Sequence, residues 1–414
     1  MSNPIVSTLG IQSYCFRAFK EHGQLIQALK TCGRGTATFG TVAPAVAQAH
    51  RDGLVADVLV ATRRGSSFEA FDSKWRGIGA AIGHEAPYSR FPKGDGLDPA
   101  AYRRAIAALP DPGCVIVVVP DDRHHEVASA AIAAGKHVLC VKPLAPTLDE
   151  VEDLVMAANK RGVYGAVEFH KRWDLANLKM LDVLRRGEIG EPLSFHVEYS
   201  QQRTVPTEIF ADWTASTSIY QYLAVHYVDI IYFVTRARPV RVVATGQKVW
   251  LRERGFDVHD AIEAMVEWEM PGTGRRFNST FVVSWVDPTT STAMSYQSIW
   301  VLGTRGRYVS DQKQRGVEIV SETGVRNPNP YFCDLYPIPG RDVFEFRGYG
   351  IDSVTTFLRD VASIAGGRAS PQDFEGSRPT FRDAAVATAV LQAVKTSLDR
   401  DGAWVTLGAD LRPL

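Results

Sequence analysis

Lys142 is the residue whose type and position most directly indicate chemistry in this chain of 414 residues. It follows the apolar run His137–Val141, which predicts a strand. Upstream, Cys114–Val119 predicts a strand buried on both faces, and Glu126–Ala134 predicts a helix. A lysine just past the carboxyl end of a strand in an open α/β sheet lies at the ligand-binding edge. We therefore expect Lys142 to perform polar chemistry on a bound small molecule.

A second candidate group lies on one predicted helix, Ser218–Val234. Tyr222, His226 and Asp229 fall at positions i, i+4 and i+7, so they share a face of that helix. Histidine is the natural proton carrier near neutral pH, and Asp229 could orient it or tune its charge. For an isolated histidine, a half-buried structural role is the better interpretation. The presence of Lys142 favours the functional one.

The elements that must position these residues alternate between strand and helix up to about residue 170. This alternation, with a glycine-rich turn near its start, predicts a Rossmann-type doubly wound parallel sheet. The stretch 65–97 contains several Gly and Pro residues and is predicted to be mostly loop. The elements predicted before the two strands above are a strand at Gln27–Thr31, a helix at Val42–Arg51, a strand at Val55–Ala61 and a helix at Ala100–Leu109.

A glycine-rich turn precedes the helix at Val42–Arg51 and is the candidate for binding a pyrophosphate. Glycines there allow the backbone to approach the phosphates at the helix N-terminus. Thr38 stands where a G-x-G-x-x-G motif has its third glycine, so an ordinary glycine turn remains the alternative. The candidate cofactor-binding residues of this turn are Gly33, Arg34, Gly35, Thr36, Thr38 and Phe39.

Arg63 and Arg64 follow the strand Val55–Ala61, where NAD-binding folds often have an acidic residue for the ribose. Two arginines suit a 2′-phosphate instead, so the sequence favours NADP over NAD. A solvated basic turn is the alternative. Pro120 and His124, after the strand Cys114–Val119, are predicted to lie near the ribose and nicotinamide. His124 could equally be a surface residue or a helix cap.

After Trp173 the pattern changes to several strands and few helices. Alternation in Phe277–Trp285 suits a sheet with one covered face, so we predict an α+β domain with a large, mostly antiparallel sheet. The predicted division is an extension at 1–24, a dinucleotide-binding domain at 25–172 and a substrate-binding and oligomerisation domain at 173–414. The last helix could pack back on the first domain. The candidate substrate-binding residues are His170, Arg172, Trp173, Trp213 and Gln221.

Composition limits the classes of partner. Basic and acidic residues number 46 each, so no charge excess favours nucleic acid or an anionic membrane. No apolar run is long enough for a bilayer, and the N-terminus is a poor signal peptide. The five cysteines form no CxxC pair, which argues against a disulfide scaffold or a metal site. We therefore expect a cytoplasmic protein with a small-molecule substrate.

The run Gly135–Ala145, GKHVLCVKPLA, resembles the GKHVLCEKPLA signature of the Gfo/Idh/MocA family. Four further segments are similar to the family: VVVPDDRHHE, KRWDLANLKMLDVLRRGEIGEP, VHYVDIIYFV and AVLQAVKTSLDRDGAWVTL. The resemblance implies an NAD(P)-dependent oxidoreductase of sugars, glycosides or cyclitols, assembled as a homodimer or homotetramer. It implies that Lys142 polarises the reacting oxygen and that His226 is the acid/base.

Three departures from the family pattern stand at these sites. Val141 replaces the usual Glu before the lysine, Tyr222 stands where many members have Asp, and Ala224 replaces a glycine. A distinct substrate subgroup is the simplest interpretation. The alternatives are a non-catalytic dinucleotide-binding regulator of the same fold and a sugar isomerase, the latter suggested only by residues 9–33. Activity with a divalent metal and no nicotinamide would support the isomerase.

Overall fold

The computed structural model describes residues 6–12, 39–210 and 213–414. The chain divides into two compact units. The first contains the described residues up to Leu144, together with Glu150–Trp173 and Tyr331–Arg382. The second contains Ala145–Asp149, Asp174–Pro330 and Asp383–Leu414. The predicted boundary after residue 172 is thus close to one observed boundary, but residues 331–382, predicted in the second domain, belong to the first unit.

The described part of the first unit is built on a six-stranded sheet with the order β3-β2-β1-β4-β5-β6. All neighbouring strands are parallel, with Leu9 opposite Leu59 and Gly10 opposite Ile116. The predicted doubly wound sheet is confirmed, and its strand order reverses between β1 and β4. The strands are β1 Val6–Gln12, β2 Val55–Ala61, β3 Ser89–Phe91, β4 Gly113–Val118, β5 His137–Val141 and β6 Gly165–Glu168.

Helices cover this sheet, and the side chains of β4 are buried on both of its faces. Cys114 and Ile116 belong to one hydrophobic cluster with buried residues of α1, α2 and α8. Val115 and Val117, which alternate with them, are equally inaccessible to solvent. Burial on both faces is typical of parallel sheets. The helices are α1 Val42–Arg51, α2 Phe68–Ile82, α3 Ala101–Ala108, α4 His124–Ala133, α5 Leu148–Arg161, α6 Leu175–Arg185, α7 Val225–Thr235, α8 Tyr349–Ala365 and α9 Phe381–Asp399.

The N-terminal segment differs from the prediction. Residues 6–12 form β1 between β2 and β4, so the predicted extension at 1–24 is corrected: part of it is a central strand of the sheet. The predicted strand Gln27–Thr31 lies outside the described residues. So do the candidate cofactor residues Gly33, Arg34, Gly35, Thr36 and Thr38, and Phe39 is the first described residue after that gap.

The stretch 65–97 is also corrected, because it contains α2 and β3 as well as loops. Phe71, Trp75 and Ile78 are buried at helical spacing along α2. This apolar stripe drives the helix against the core. Gly77 and Gly79 lie within α2, and weak helix formers at these positions concealed the pattern.

The second unit contains a seven-stranded sheet in its described residues, with the order β12-β11-β7-β10-β9-β8-β17. Only β7 and β10 pair in parallel, which confirms the predicted mostly antiparallel sheet. On β10, Phe281, Val283 and Trp285 are buried on one face. The strands are β7 Pro192–Gln202, β8 Arg238–Gln247, β9 Ala261–Glu269, β10 Arg276–Asp287, β11 Ser295–Gly303, β12 Arg307–Asp311 and β17 Val405–Thr406.

The predicted helix Ser218–Val234 is not α-helical throughout. Tyr220–Ala224 is π-helical, and α7 begins at Val225. A second π-helical segment, Val205–Ile209, lies earlier in the same unit. The turn that holds Tyr222 therefore has a different pitch from the helix that holds His226, and the predicted common face stays a prediction. Two small hairpins complete the described strands: β13 Ile319–Ser321 with β14 Gly324–Arg326, and β15 Asp334–Pro337 with β16 Phe344–Arg347.

Candidate active site

Lys142 follows β5 directly, at the carboxyl edge of the parallel sheet. Its side chain is half-buried, and the Lys142–Pro143 peptide bond is cis. Burial lowers the pKa of Lys142 from 10.5 to about 7, while the charges of Asp121 and Glu168 act to raise it. A lysine with such a pKa is present in both ammonium and amine forms near neutral pH, so it can donate or accept a proton.

The start of β5 is fixed by two polar side chains of the signature run. Lys136 Nζ donates to the Leu109 carbonyl at 2.7 Å and to Asp111 at 2.5 Å. His137 Nδ1 accepts from the Tyr164 backbone N–H at 2.9 Å. Burial lowers the pKa of His137 to about 4, so this imidazole stays neutral as the acceptor requires. These two residues fix the start of β5, and Lys142 follows its other end.

His124 connects two loops at the carboxyl edge. Its Nδ1 lies 2.7 Å from the Pro143 carbonyl oxygen and its Nε2 3.0 Å from that of Val119. The side chain is only 1% exposed, and burial lowers its pKa. Two backbone carbonyls thus surround the His124 ring, and its predicted contact with the cofactor stays a prediction. Pro120 is buried directly after β4, and its predicted contact stays a prediction.

The turn after β2 carries Arg63 and Arg64 on its surface. Its backbone is held by a neighbouring loop: the Asp98 N–H donates to the Arg63 carbonyl at 2.8 Å, and the Gly65 N–H donates to the Gly96 carbonyl at 3.0 Å. A Cβ at residue 65 would lie 1.8 Å from the Gly94 oxygen, so glycine is required there. Two exposed guanidinium groups on a fixed turn at the carboxyl edge suit the phosphate of a dinucleotide.

Residues 168–173 follow β6 at the same edge. Glu168 is buried and accepts hydrogen bonds from Ser353 Oγ at 2.7 Å and His170 Nδ1 at 2.8 Å. Arg172 is 4% exposed, with its guanidinium 6.0 Å from the Phe169 ring centre. Trp173 Nε1 donates to Thr356 Oγ1 at 3.1 Å. These contacts fix the predicted substrate residues His170, Arg172 and Trp173 within the first unit.

In the second unit, His226 and Asp229 lie in α7 and are 4% and 2% exposed. The ring centre of Tyr222 is 4.7 Å from Phe210, 6.1 Å from Trp213 and 6.0 Å from Trp285. We call Phe210, Trp213, Tyr222 and Trp285 the aromatic cluster. Gln221 precedes Tyr222, and its backbone N–H donates to Ser218 Oγ at 3.1 Å. Planar rings of this kind suit the apolar faces of sugar rings.

Two further polar residues, which were not predicted from the sequence, lie at this edge of the sheet. Asp121, which is 6% exposed, acts electrostatically on Lys142. Its position after a strand of the parallel sheet was the available signal. Ser353 belongs to α8 and meets Glu168 from 185 residues further along the chain, for which no local pattern gives a signal.

The described residues contain no group of three His, Cys, Asp or Glu side chains arranged to hold a metal ion. Among the helices that the structure describes, none combines the length and the apolar character needed to cross a membrane.

Two family models match the chain. "Oxidoreductase family, NAD-binding Rossmann fold" matches residues 38–169, and "GFO/IDH/MocA C-terminal domain" matches residues 177–309. Levoglucosan dehydrogenase of Pseudarthrobacter phenanthrenivorans is 27% identical over 318 residues, 68% of this chain and 79% of that protein. 1,5-Anhydro-D-fructose reductase of Ensifer adhaerens is 32% identical over 186 residues, which cover 43% of this chain. The chain spans only about half, 53%, of that reductase.

Solved structures share the fold over nearly the whole chain. GenD2 from gentamicin A biosynthesis, in complex with NAD, has a TM-score of 0.66 at 19% identity and covers 99% of this chain and 98% of its own. Scyllo-inositol dehydrogenase from Lactobacillus casei, with NAD(H) and scyllo-inositol, has a TM-score of 0.61 at 13% identity, covering 97% and 99%. At these identities the likeness shows the fold alone.

Proposed function

Because the chain belongs to the Gfo/Idh/MocA family of oxidoreductases, we propose that it transfers a hydride between nicotinamide and a sugar, glycoside or cyclitol. The reacting group is a secondary hydroxyl or its ketone. The observation that carries this proposal is Lys142, held at the carboxyl edge of the parallel sheet with a pKa of about 7. The relatives named for anhydrofructose and levoglucosan support the substrate class.

The bound nicotinamide supplies the hydride acceptor or donor, and the protein supplies orientation and proton transfer. In the oxidation direction, neutral Lys142 assists removal of the hydroxyl proton as the carbonyl forms. In the reduction direction, its ammonium polarises the carbonyl and assists the return of the proton. A pKa of about 7 permits both roles near neutral pH.

His226 is the proposed acid/base of the second unit, with Asp229 one helical turn further along α7. A carboxylate at that spacing can stabilise the imidazolium or orient the ring. Tyr222, Trp213 and Gln221 are proposed to contact the substrate, since the aromatic cluster offers rings and a phenol. Tyr222 would provide a hydroxyl where many family members carry a carboxylate.

NADP is the proposed preferred cofactor, and Arg63 and Arg64 are the proposed partners of its 2′-phosphate. Both are exposed on the turn held by the Gly94–Asp98 loop. A relative from Bacillus subtilis, scyllo-inositol 2-dehydrogenase (NADP(+)), is 34% identical over 120 residues. Gly33, Arg34, Gly35, Thr36, Thr38, Phe39 and Pro120 remain proposed contacts for the rest of the dinucleotide.

The Arg63→Ala/Arg64→Ala variant tests this preference. Charge-assisted hydrogen bonds contribute about 1.5–3 kcal/mol each, so we expect the KM for NADP to rise at least about tenfold and that for NAD to change little. Arg103→Ala is the control, because Arg103 is an exposed arginine of α3 that pairs with Glu126. A wild-type preference for NAD would contradict the assignment.

Lys142→Ala tests the reaction itself, on a panel of sugars, glycosides and inositols with NADP and NAD. We expect kcat to fall about 10²- to 10⁴-fold, with cofactor affinity retained, because general acid–base catalysis contributes that much. Absorbance of reduced nicotinamide measures turnover, and quenching of protein fluorescence measures cofactor binding. A fully active Ala variant would refute the role of Lys142. Cofactor binding without turnover of any polyol would indicate the non-catalytic regulator.

A further inference from the structure

Glu168 is a buried carboxylate that the reaction proposed above does not use. It is 5% exposed at the end of β6. Ser353 Oγ donates to one of its oxygens at 2.7 Å, and His170 Nδ1 lies 2.8 Å from the other. The His170 ring is itself held by Phe332 at 5.2 Å and Tyr349 at 5.6 Å between ring centres. The carboxylate therefore has a fixed position beside the end of β5.

The register of the sheet relates Glu168 to the lysine. Glu168 pairs with Val141, the residue immediately before Lys142. Paired residues of neighbouring parallel strands project from the same face. Val141 stands where the signature that this chain resembles has a glutamate. A carboxylate is thus present on the same face, one strand away from the position where the signature carries it.

We infer that Glu168 is a positioning residue for Lys142. From its place on β6, Glu168 supplies the negative charge that residue 141 lacks. Its carboxylate stabilises the ammonium form of Lys142 and thereby sets the pH at which that lysine exchanges its proton with substrate. The inference rests on the proposed function for its kinetic consequence, but the charge interaction itself does not depend on turnover.

The other charged groups around the pair determine how large the effect is. Asp121 also acts on Lys142 to raise its pKa, so part of the stabilisation persists without Glu168. His124 lies beside Lys142, and burial lowers its pKa. His170 faces Glu168, with its Nδ1 2.8 Å from the carboxylate. Removal of Glu168 alone is therefore expected to lower the pKa of Lys142 without abolishing proton exchange.

The first measurement is the pH dependence of Lys142 acetylation by trace acetic anhydride, quantified by mass spectrometry in the full-length protein. The amine form reacts, so the midpoint reports the pKa of the lysine whether or not the protein turns over substrate. In Glu168→Gln we expect the midpoint to move about one unit to lower pH, the size of effect that a nearby opposite charge produces. Lys395, which is 78% exposed and paired with Asp399, is the internal reference and should not move.

Two further variants separate charge from structure. Ser353→Ala removes a neutral hydrogen bond to Glu168 but keeps its charge, so the midpoint should stay close to the wild-type value. Val141→Glu/Glu168→Gln returns a carboxylate to the same face, so the midpoint should move back towards the wild-type value. If Glu168→Gln does not fold, Val141→Glu in the otherwise native chain should raise the midpoint.

The second readout is the pH dependence of kcat/KM for the best substrate of the panel. The apparent pKa of this profile should shift in the same direction as the midpoint of Lys142 acetylation. A Glu168→Gln midpoint that moves no more than that of Ser353→Ala, or no return in the double variant, overturns the inference. A shifted midpoint in a protein that turns over no polyol would refute the proposed function and leave the charge interaction standing. An unshifted midpoint in an enzyme that turns over a polyol would support the proposed function and refute the charge interaction.

Discussion

Burial lowers the pKa of two residues at opposite ends of β5, with different consequences. His137, at the start, has a pKa of about 4 and serves as a neutral acceptor for the Tyr164 N–H. Lys142, after the end, has a pKa of about 7, because two carboxylates offset part of the burial. The same physical cause thus inactivates one group for proton transfer near neutral pH and prepares the other for it.

The pKa of Lys142 predicts the pH profile of the reaction. Oxidation needs the amine, so kcat/KM for the alcohol should rise with pH through a limb near 7. Reduction needs the ammonium, so kcat/KM for the ketone should fall through the same pH. Initial rates in both directions between pH 5 and 9 measure this. A limb near 10 in both directions would show that Lys142 keeps the pKa of an exposed lysine.

At this scale, sequence reasoning succeeds where a local pattern identifies the residue. Lys142 follows an apolar run and a recognisable signature, and the structure places it after β5 as predicted. The contact between Glu168 and Ser353 joins positions 185 residues apart, so no local pattern contains it. The two backbone carbonyls that surround His124 are likewise invisible to a local pattern.

At the scale of elements, the histidine of β5 makes the stability of the fold sensitive to acid. The folded pKa of His137 is below its ordinary value of 6.5, so the unfolded chain takes up the proton first as pH falls. Stability is therefore complete above about pH 6.5 and decreases towards pH 4, by about 1.4 kcal/mol per unit.

His137→Asn should reduce this sensitivity, because an amide oxygen can accept from the Tyr164 N–H without titrating. We expect the drop in thermal unfolding midpoint between pH 7 and pH 5 to be smaller by about 4 °C than in the wild type. His125→Asn is the matched control, since the His125 side chain is 32% exposed and pairs with Asp153. An equal drop in all three proteins would contradict the assignment.

Element prediction was accurate where periodicity and composition agreed. The helix at Val42–Arg51 and the strand at Val55–Ala61 have the predicted bounds. The π-helical turn Tyr220–Ala224 was not predictable, because composition does not distinguish π from α geometry. Packing of Tyr222 in the aromatic cluster accompanies that turn, and its contact with Trp285 joins distant positions in the chain.

At the scale of the whole molecule, the outer face of the seven-stranded sheet carries exposed apolar side chains. Trp300, Leu302 and Val309 are 38%, 43% and 62% exposed on β11 and β12. Large exposed apolar side chains on one sheet face are typical of protein interfaces. Together with the family resemblance, they lead us to propose that two copies of the chain associate through this face.

Trp300→Glu/Leu302→Lys should therefore yield monomers, whereas the wild type should give a dimer or tetramer in light scattering coupled to gel filtration. Charges on both copies would have to be buried in the interface, which is unfavourable. Val320→Lys is the control, because Val320 is 71% exposed on the β13–β14 hairpin of the same unit. An unchanged molar mass in the double variant would locate the contact elsewhere.

The path of the chain was the least predictable feature at this scale. Alternating strands and helices predict a sheet, but they do not show that residues 331–382 return to the first unit. That return depends on apolar residues of α8, such as Val354 and Leu358, packing in one cluster with Ile116. Such packing brings together residues more than 200 positions apart, and the apolar stripe of α8 alone does not identify its partner.

Because residues 331–382 belong to the first unit, this unit cannot fold completely until late in synthesis. The ribosome releases β1 to β6 long before α8, whose apolar residues cover one face of that sheet. Until about residue 382 has emerged, the nascent first unit exposes core surface to water and to other chains. The unit whose strands are translated first is therefore completed only near the end of translation.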